Sequence, residues 1–148
     1  MASLISAADQ QKLREAFAEM TRTVHLVFFT QTLDCETCLQ TRQILDELPL
    51  LSDKIVVDEL NFVLDKERAQ QFGITRVPAV ALTFEDEAKQ THDTRIRFLG
   101  APSGYEFISL VQAVLIAGGR AMNLKPASVA RLAAVDKPVT MQVFTTPT

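Results

Sequence analysis

Two cysteines stand three residues apart, in Cys35-Glu36-Thr37-Cys38, and they are the only two in the chain. This spacing supports a dithiol that closes to a disulfide and reopens. The run Thr32-Leu33-Asp34 before it is polar and turn-like, and Cys35 to Leu48 (rich in Leu, Gln, Arg and Glu) reads as a helix stopped by Pro49. Cys35 is therefore expected at or near a helix N-terminus, where unpaired N–H groups and the helix dipole favour an anion. A thiolate is the nucleophilic form of cysteine. Cys38 follows about one turn later, with its sulfur beside that of Cys35. In such a pair Cys35 attacks a partner disulfide and Cys38 resolves the mixed disulfide. Asp34 and Glu36 flank Cys35 and oppose the thiolate, so no oxidising or reducing character is assigned.

The same spacing also fits half a zinc site, a structural bridge, or two buried thiols. Zinc needs four ligands. The other soft candidates are His25, inside an expected strand, and His92, in a distant expected turn. Each reads more simply as a strand residue and a solvated turn residue, and no metal is expected.

The elements that must position the pair follow from periodicity. Ser6 to Met20 carries Leu13, Phe17 and Met20 on one helical stripe. Val24 to Thr30 (VHLVFFT) is a β-branched and aromatic run suited to a buried strand. A second strand is expected from Lys54 to about Leu60, and a short helix from Lys66 to Phe72 that Gly73 ends. Strands are expected at Ala79 to Phe84 and Arg95 to Leu99, around a polar turn from Glu85 to Asp93. Tyr105 to Ala117 is an apolar helix before Gly118-Gly119. The order predicts an α/β fold, with helices on both faces of a small mixed sheet. Pro78 begins a strand, where its missing N–H is tolerated. Phe17, Phe28, Phe29, Phe62, Phe72, Phe84, Phe98 and Phe107 are core by default.

At 148 residues, 47% apolar and 22% charged, the chain is expected to pack a globular core. Its formal charge of −3 lacks the clustered Lys/Arg excess of a nucleic-acid binder. No segment approaches the roughly 18 apolar residues of a membrane span. Asp9, Lys12, Arg14, Glu15 and Glu19 interrupt what would be a signal-peptide core. A cytoplasmic location is expected, where a cysteine pair points to redox or metal chemistry rather than a structural bridge.

The tail extends the pattern. Pro126 to Val135 reads as a helix, and Val139 to Thr145 (VTMQVFT) echoes Val24 to Thr30, with three of seven positions identical. Two units are therefore expected: residues 1–120 as a redox unit with an N-terminal helix, and 121–148 as the helix and first strand of a second, truncated copy. A lone tail strand could pair with another molecule through an open edge.

The run Gln71-Phe72-Gly73-Ile74-Thr75-Arg76-Val77-Pro78-Ala79 resembles the thioredoxin-family segment that faces the active-site disulfide. The resemblance implies a thioredoxin-like fold with a central mixed four-stranded sheet. It also implies a cis Val77–Pro78 bond and a Val77 backbone that pairs with an extended substrate. Residues 6 to 119 are most similar to the N-terminal unit of the glutaredoxin-like protein disulfide oxidoreductases, which hold two thioredoxin folds in tandem. That similarity is carried by the cysteine motif, Leu48 to Lys54, Gly73 to Pro78, and Phe98 to Phe107. The last segment also resembles the N-terminal domain of alkyl hydroperoxide reductase flavoprotein subunits, whose first fold normally keeps no cysteine pair. Two departures stand out: Asp34 replaces the tryptophan before the first cysteine, and Phe29 stands where thioredoxins often keep a buried acid.

The resemblance implies a thiol–disulfide oxidoreductase of cell redox homeostasis with Cys35 attacking, Cys38 resolving and no cofactor beyond their disulfide. Its partners would be protein or small-molecule disulfides, with a flavoprotein reductase as a further candidate. The alternative is a non-catalytic interaction module or the electron-relay domain of a peroxide-reducing system. Glu59 alternates with Ile55 and Val57 on an expected central strand. It is a candidate proton acceptor near Cys38, because a half-buried carboxylate has a raised pKa; the other reading is an ordinary edge or surface glutamate. Arg76 is a candidate rim contact to partners, or a solvated loop residue. With Val77 and Pro78 it forms the expected substrate-binding segment.

Overall fold

The computed structural model describes residues 3–146. Its elements are α1 (Ala7–Phe17), β1 (Val24–Thr30), α2 (Cys38–Asp46), β2 (Ile55–Asn61), α3 (Lys66–Gln71), β3 (Ala79–Glu85), β4 (Thr91–Leu99), α4 (Tyr105–Ala117) and α5 (Pro126–Ala133). The strands form one sheet in the order β2-β1-β3-β4. β1 pairs parallel with β2 and antiparallel with β3, and β3 pairs antiparallel with β4. The parallel pair requires a crossover, which α2 supplies.

Alternation along β1 builds two cores. Val24, Leu26 and Phe28 face a cluster with Leu45 and Leu48 beyond α2's first turns, Leu110 and Val114 of α4, and Phe17 of α1. Val27 and Phe29 face the opposite side, against Ala69 and Phe72 around α3, with Ile74, Ala79 and Ala81. A strand buried on both faces is apolar throughout, which is why VHLVFFT lacks the polar alternation of a surface strand. Phe29 fills its site completely and meets Phe72 edge to face at a centroid distance of 5.9 Å.

The short helices are tied down at their ends. Ser6 caps α1 by accepting from the Asp9 N–H. Arg14 donates to the Leu50 carbonyl at 2.8 Å, joining α1 to the segment after α2. Glu47 accepts from the hydroxyl of Ser3 and the amides of Leu4 and Ile5. Gly119 after α4 takes φ 108°, a conformation that favours glycine.

Several expected boundaries move. α2 begins at Cys38 rather than Cys35, because Glu36 and Thr37 form the turn that enters it. β4 begins at Thr91, so the hairpin turn is only Asp86–Gln90, closed by the Asp86 amide on the Gln90 carbonyl at 2.9 Å. Asp86 also accepts from the amides of Ala88 and Gln90 through Oδ1. His92 therefore lies in a strand rather than a turn, though it is solvent-exposed as expected; its ring stacks on Phe84 and bonds to Asp86. β2 is an edge strand, not a central one. In the tail α5 forms, but Val139 to Thr145 joins no strand. A strand exists through its ladder partners, and among the described residues none is offered to this segment.

Candidate redox site

β1 and β2 run parallel, and β3 antiparallel to them, so the C-terminal ends of β1 and β2 lie beside the start of β3. Phe29 pairs with Ala79, which sets Thr30 beside Pro78 at that end of the sheet. The loop after β1 carries Cys35 there, and Cys38 opens α2. Both halves of the expected site, cysteine motif and proline segment, thus meet at one pole of the sheet. This is the carboxyl-end crevice where open α/β sheets place their chemistry.

Cys35 and Cys38 form a disulfide with a Cα separation of 5.5 Å. Their environments differ. Cys38 is buried, 5% exposed, while Cys35 is half-buried and reachable from solvent. The less buried cysteine suits attack on an incoming disulfide, and the more buried one suits resolution. Cys38 is the first residue of α2, after Thr37 as N-cap. The sulfur pair therefore lies against the positive end of that helix. Thr41, fully buried, donates from Oγ1 to the Thr37 carbonyl at 2.9 Å and fixes the first turn. Asp34 takes φ 54°, a left-handed conformation that aspartate tolerates better than most residues, and its carbonyl accepts from Gln31 Nε2 at 3.3 Å.

In the proline segment, Thr75 and Arg76 are exposed, Val77 is half-buried and Pro78 is buried. The Val77–Pro78 peptide bond is cis. The Gly100 amide, just past β4, donates to the Pro78 carbonyl at 2.9 Å.

Glu59 is not the half-buried carboxylate expected on a central strand. It lies on the edge strand, 44% exposed at its side chain, and accepts from Nε of Arg42 at 2.9 Å and from Nη2. Sequence reading missed Arg42 because α2 and β2 had no fixed relative placement before the fold was known. It also missed the exposed apolar rim. Leu33, Leu39, Val63 and Leu64 all lie in loops or first turns at the redox pole, and each is at least half exposed. Their apolar character alone reads as core; only their placement in turns could have marked them.

The histidines stand apart from the cysteines. His25, near the start of β1, is at the opposite pole. Its Nδ1 contacts Asp58 at 2.7 Å and its Nε2 contacts Glu85 at 2.8 Å, so it bridges β2 and β3. Burial pulls its pKa down, but the bonds to Glu85 and Asp58 outweigh this and raise it overall. A cavity of about 730 Å³ lies at that pole, lined by Thr21, Arg22, Lys54, Phe84 and the β3–β4 turn. A second, about 420 Å³, lies between α1 and the segment after α2. Neither of these two cavities is lined by a cysteine. Among the described residues, no cluster of three or more His, Cys, Asp or Glu could hold a metal ion.

No family model matches the chain. Comparison with solved structures places it against the NTD_N/C domain of alkylhydroperoxide reductase AhpF from Enterococcus faecalis, with a TM-score of 0.78 and 30% identity. The likeness covers 90% of this chain and 62% of that one. A protein disulfide oxidoreductase from Aeropyrum pernix superposes with a TM-score of 0.72 at 24% identity, over 87% of this chain and 54% of that chain. The chain has the thioredoxin fold. Its sequence is also 29% identical, over 89 residues, to a protein named "Probable Thioredoxin" of Methanothermobacter thermautotrophicus, covering 60% of this chain and 92% of that protein. This thioredoxin-like chain thus spans nearly all of one relative but under two thirds of the two larger structures. No helix among its described residues is long and apolar enough to cross a membrane.

Proposed function

We propose that this thioredoxin-like chain is a thiol–disulfide oxidoreductase that works through Cys35 and Cys38. The carrying observation is the pair itself: a closed disulfide between a half-buried and a buried cysteine, at the first turn of a helix. In the reduced chain the Cys35 thiolate attacks one sulfur of a partner disulfide. A mixed disulfide forms and one partner thiolate leaves. The Cys38 thiolate then attacks Cys35 Sγ, the Cys35–Cys38 disulfide closes, and the second partner thiolate leaves. Two electrons have passed to the partner, and the reverse sequence oxidises a dithiol.

Arg76, Val77 and Pro78 form the substrate-binding wall in this reading. Among the described residues, the amides of Thr75, Arg76 and Val77 donate to no other backbone group. They are free to receive an extended chain as an added strand. The exposed apolar rim of Leu33, Leu39, Val63 and Leu64 favours a protein-sized partner over a small disulfide. Residues 121–148 are read as the opening of a second thioredoxin-like unit. The helix α5, the echo of β1 in Val139 to Thr145, and a structural likeness reaching 90% of the chain support this. The likeness to the AhpF domain supports a second role, as a relay in a peroxide-reducing system that takes electrons from a flavoprotein reductase. The location that suits this dithiol chemistry is the cytoplasm.

Insulin-disulfide reduction with a dithiol reductant tests the central reading. Cys35→Ser is expected to abolish turnover, and Cys38→Ser to accumulate a mixed disulfide. In the reduced chain iodoacetamide is expected to label Cys35 first, at least about tenfold faster than Cys38. Full activity of Cys35→Ser would refute the mechanism.

A further inference from the structure

β4 departs from a regular strand near its middle. Asp93 pairs with Thr83 and Arg97 with Ala81, so four steps along β4 match two along β3. Arg95 takes up the excess with φ 64°, and its amide donates to Asp93 Oδ1 at 2.8 Å. Thr94 Oγ1 donates to the Leu82 carbonyl, left out of the ladder, at 2.7 Å. In a regular strand Asp93 and Arg97 would stand about 13 Å apart. The bulge brings them within two rungs, on the α3 face of the sheet.

Arg97 uses this placement in three directions. Nη1 and Nη2 donate to the two oxygens of Asp93 at 2.8 and 2.6 Å. Nε donates to the Phe72 carbonyl at 3.0 Å, and the guanidinium lies 5.3 Å from the centre of the Phe72 ring. Phe72 is the C-cap of α3 and the first residue of the segment that leads to Val77 and Pro78. The far end of that segment is held by the Gly100 amide on the Pro78 carbonyl. Both ends of the proline segment are thus fastened to β4, one through a side chain and one through the backbone immediately after the strand.

We propose that Arg97 is a positioning residue that sets the proline segment for pairing with a substrate chain; this rests on the reading of Val77 as the pairing site. A planar fork is required, because one group must satisfy a carboxylate, a carbonyl and a ring face together. Lysine has the charge but not the fork. Arg97 touches neither cysteine motif nor substrate, so its effect falls on binding of extended chains and not on exchange at sulfur.

The test compares insulin with bis(2-hydroxyethyl) disulfide as substrates for the wild type, Arg97→Lys and Arg97→Gln. Both variants are expected to raise KM for insulin about tenfold, with kcat and the rate on the small disulfide held within about twofold. Asp93→Asn, which loosens the fork but leaves the Nε bond, is expected to give a smaller rise in the same direction, and it carries the readout should Arg97→Gln fail to fold. An unchanged insulin KM in Arg97→Lys and Asp93→Asn would overturn the proposal, as would equal losses on both substrates. A wild type that reduces neither substrate would instead remove the oxidoreductase reading, and the role of Arg97 with it. Val77→Pro, which deletes the pairing N–H, checks the pairing site separately: an unmoved insulin KM there sinks the pairing whatever Arg97 does.

Discussion

Arg42 holds the carboxylate of Glu59 in two hydrogen bonds, joining α2 to the outer strand of the sheet. Both side chains are exposed, at 43% and 44%. Among the described residues the carboxylate is engaged by Arg42, and no hydrogen bond joins it to Cys38. Glu59→Gln is therefore expected to leave insulin reduction and its pH profile within about twofold of wild type, and to cost at most about 1 kcal/mol of stability as an exposed ion pair. A large activity loss with the pH profile displaced would restore Glu59 as the proton acceptor.

His25 makes stability depend on pH in a definite direction. Its folded pKa is raised, with the bonds to Glu85 and Asp58 overcoming burial. The unfolded imidazole titrates near about 6.5. The folded state therefore binds the proton more tightly, and the added stability is complete below that value. It is lost as pH rises through the folded pKa. Urea unfolding should show wild type exceeding His25→Gln by more at pH 6 than at pH 9. A gap that widens toward pH 9 would contradict this assignment.

Glu47 gives the opposite dependence. Burial raises its pKa, but the bonds from Ser3, Leu4 and Ile5 lower it further, and the net shift is downward. The contribution is present above the unfolded carboxyl value, near about 4.3, and is lost as pH falls through the folded one. Glu47→Gln is expected to speed amide exchange of Leu4 and Ile5 at neutral pH by about fivefold, the equivalent of a bond worth about 1 kcal/mol. Unchanged exchange at both amides would show that the segment is held by other means.

The legible parts of the fold were those set by local pattern. VHLVFFT announced β1, and the apolar run before Gly118 announced α4 with its observed bounds. The cysteine pair was legible because its chemistry is contained in four residues. The illegible parts depended on long-range pairing. Thr91 to Asp93 looks like turn because its residues are polar; it is strand because β3 offers a ladder and Arg95 absorbs a bulge. Glu59 looked central because nothing in Ile55 to Asn61 says which neighbours the strand has. Arg97 gave no signal at all, since its role comes from the bulge that brings Asp93 back to it.

The two margins of the sheet bear on what it will accept. Asp58 and Glu59 stud the outer strand β2, and Asp93, Arg95 and Arg97 stud the outer strand β4. Charges at both borders, with a bulge in β4, discourage neighbouring chains from docking edge to edge. The stretch from Thr75 to Val77, at the same pole as the cysteine pair, leaves its amides without a backbone acceptor among the described residues. On the proposed reading, edge-to-edge association is discouraged at both flanks while the proline segment stays open to an extended chain, so resistance to self-association and acceptance of substrate are separated in space on the same sheet.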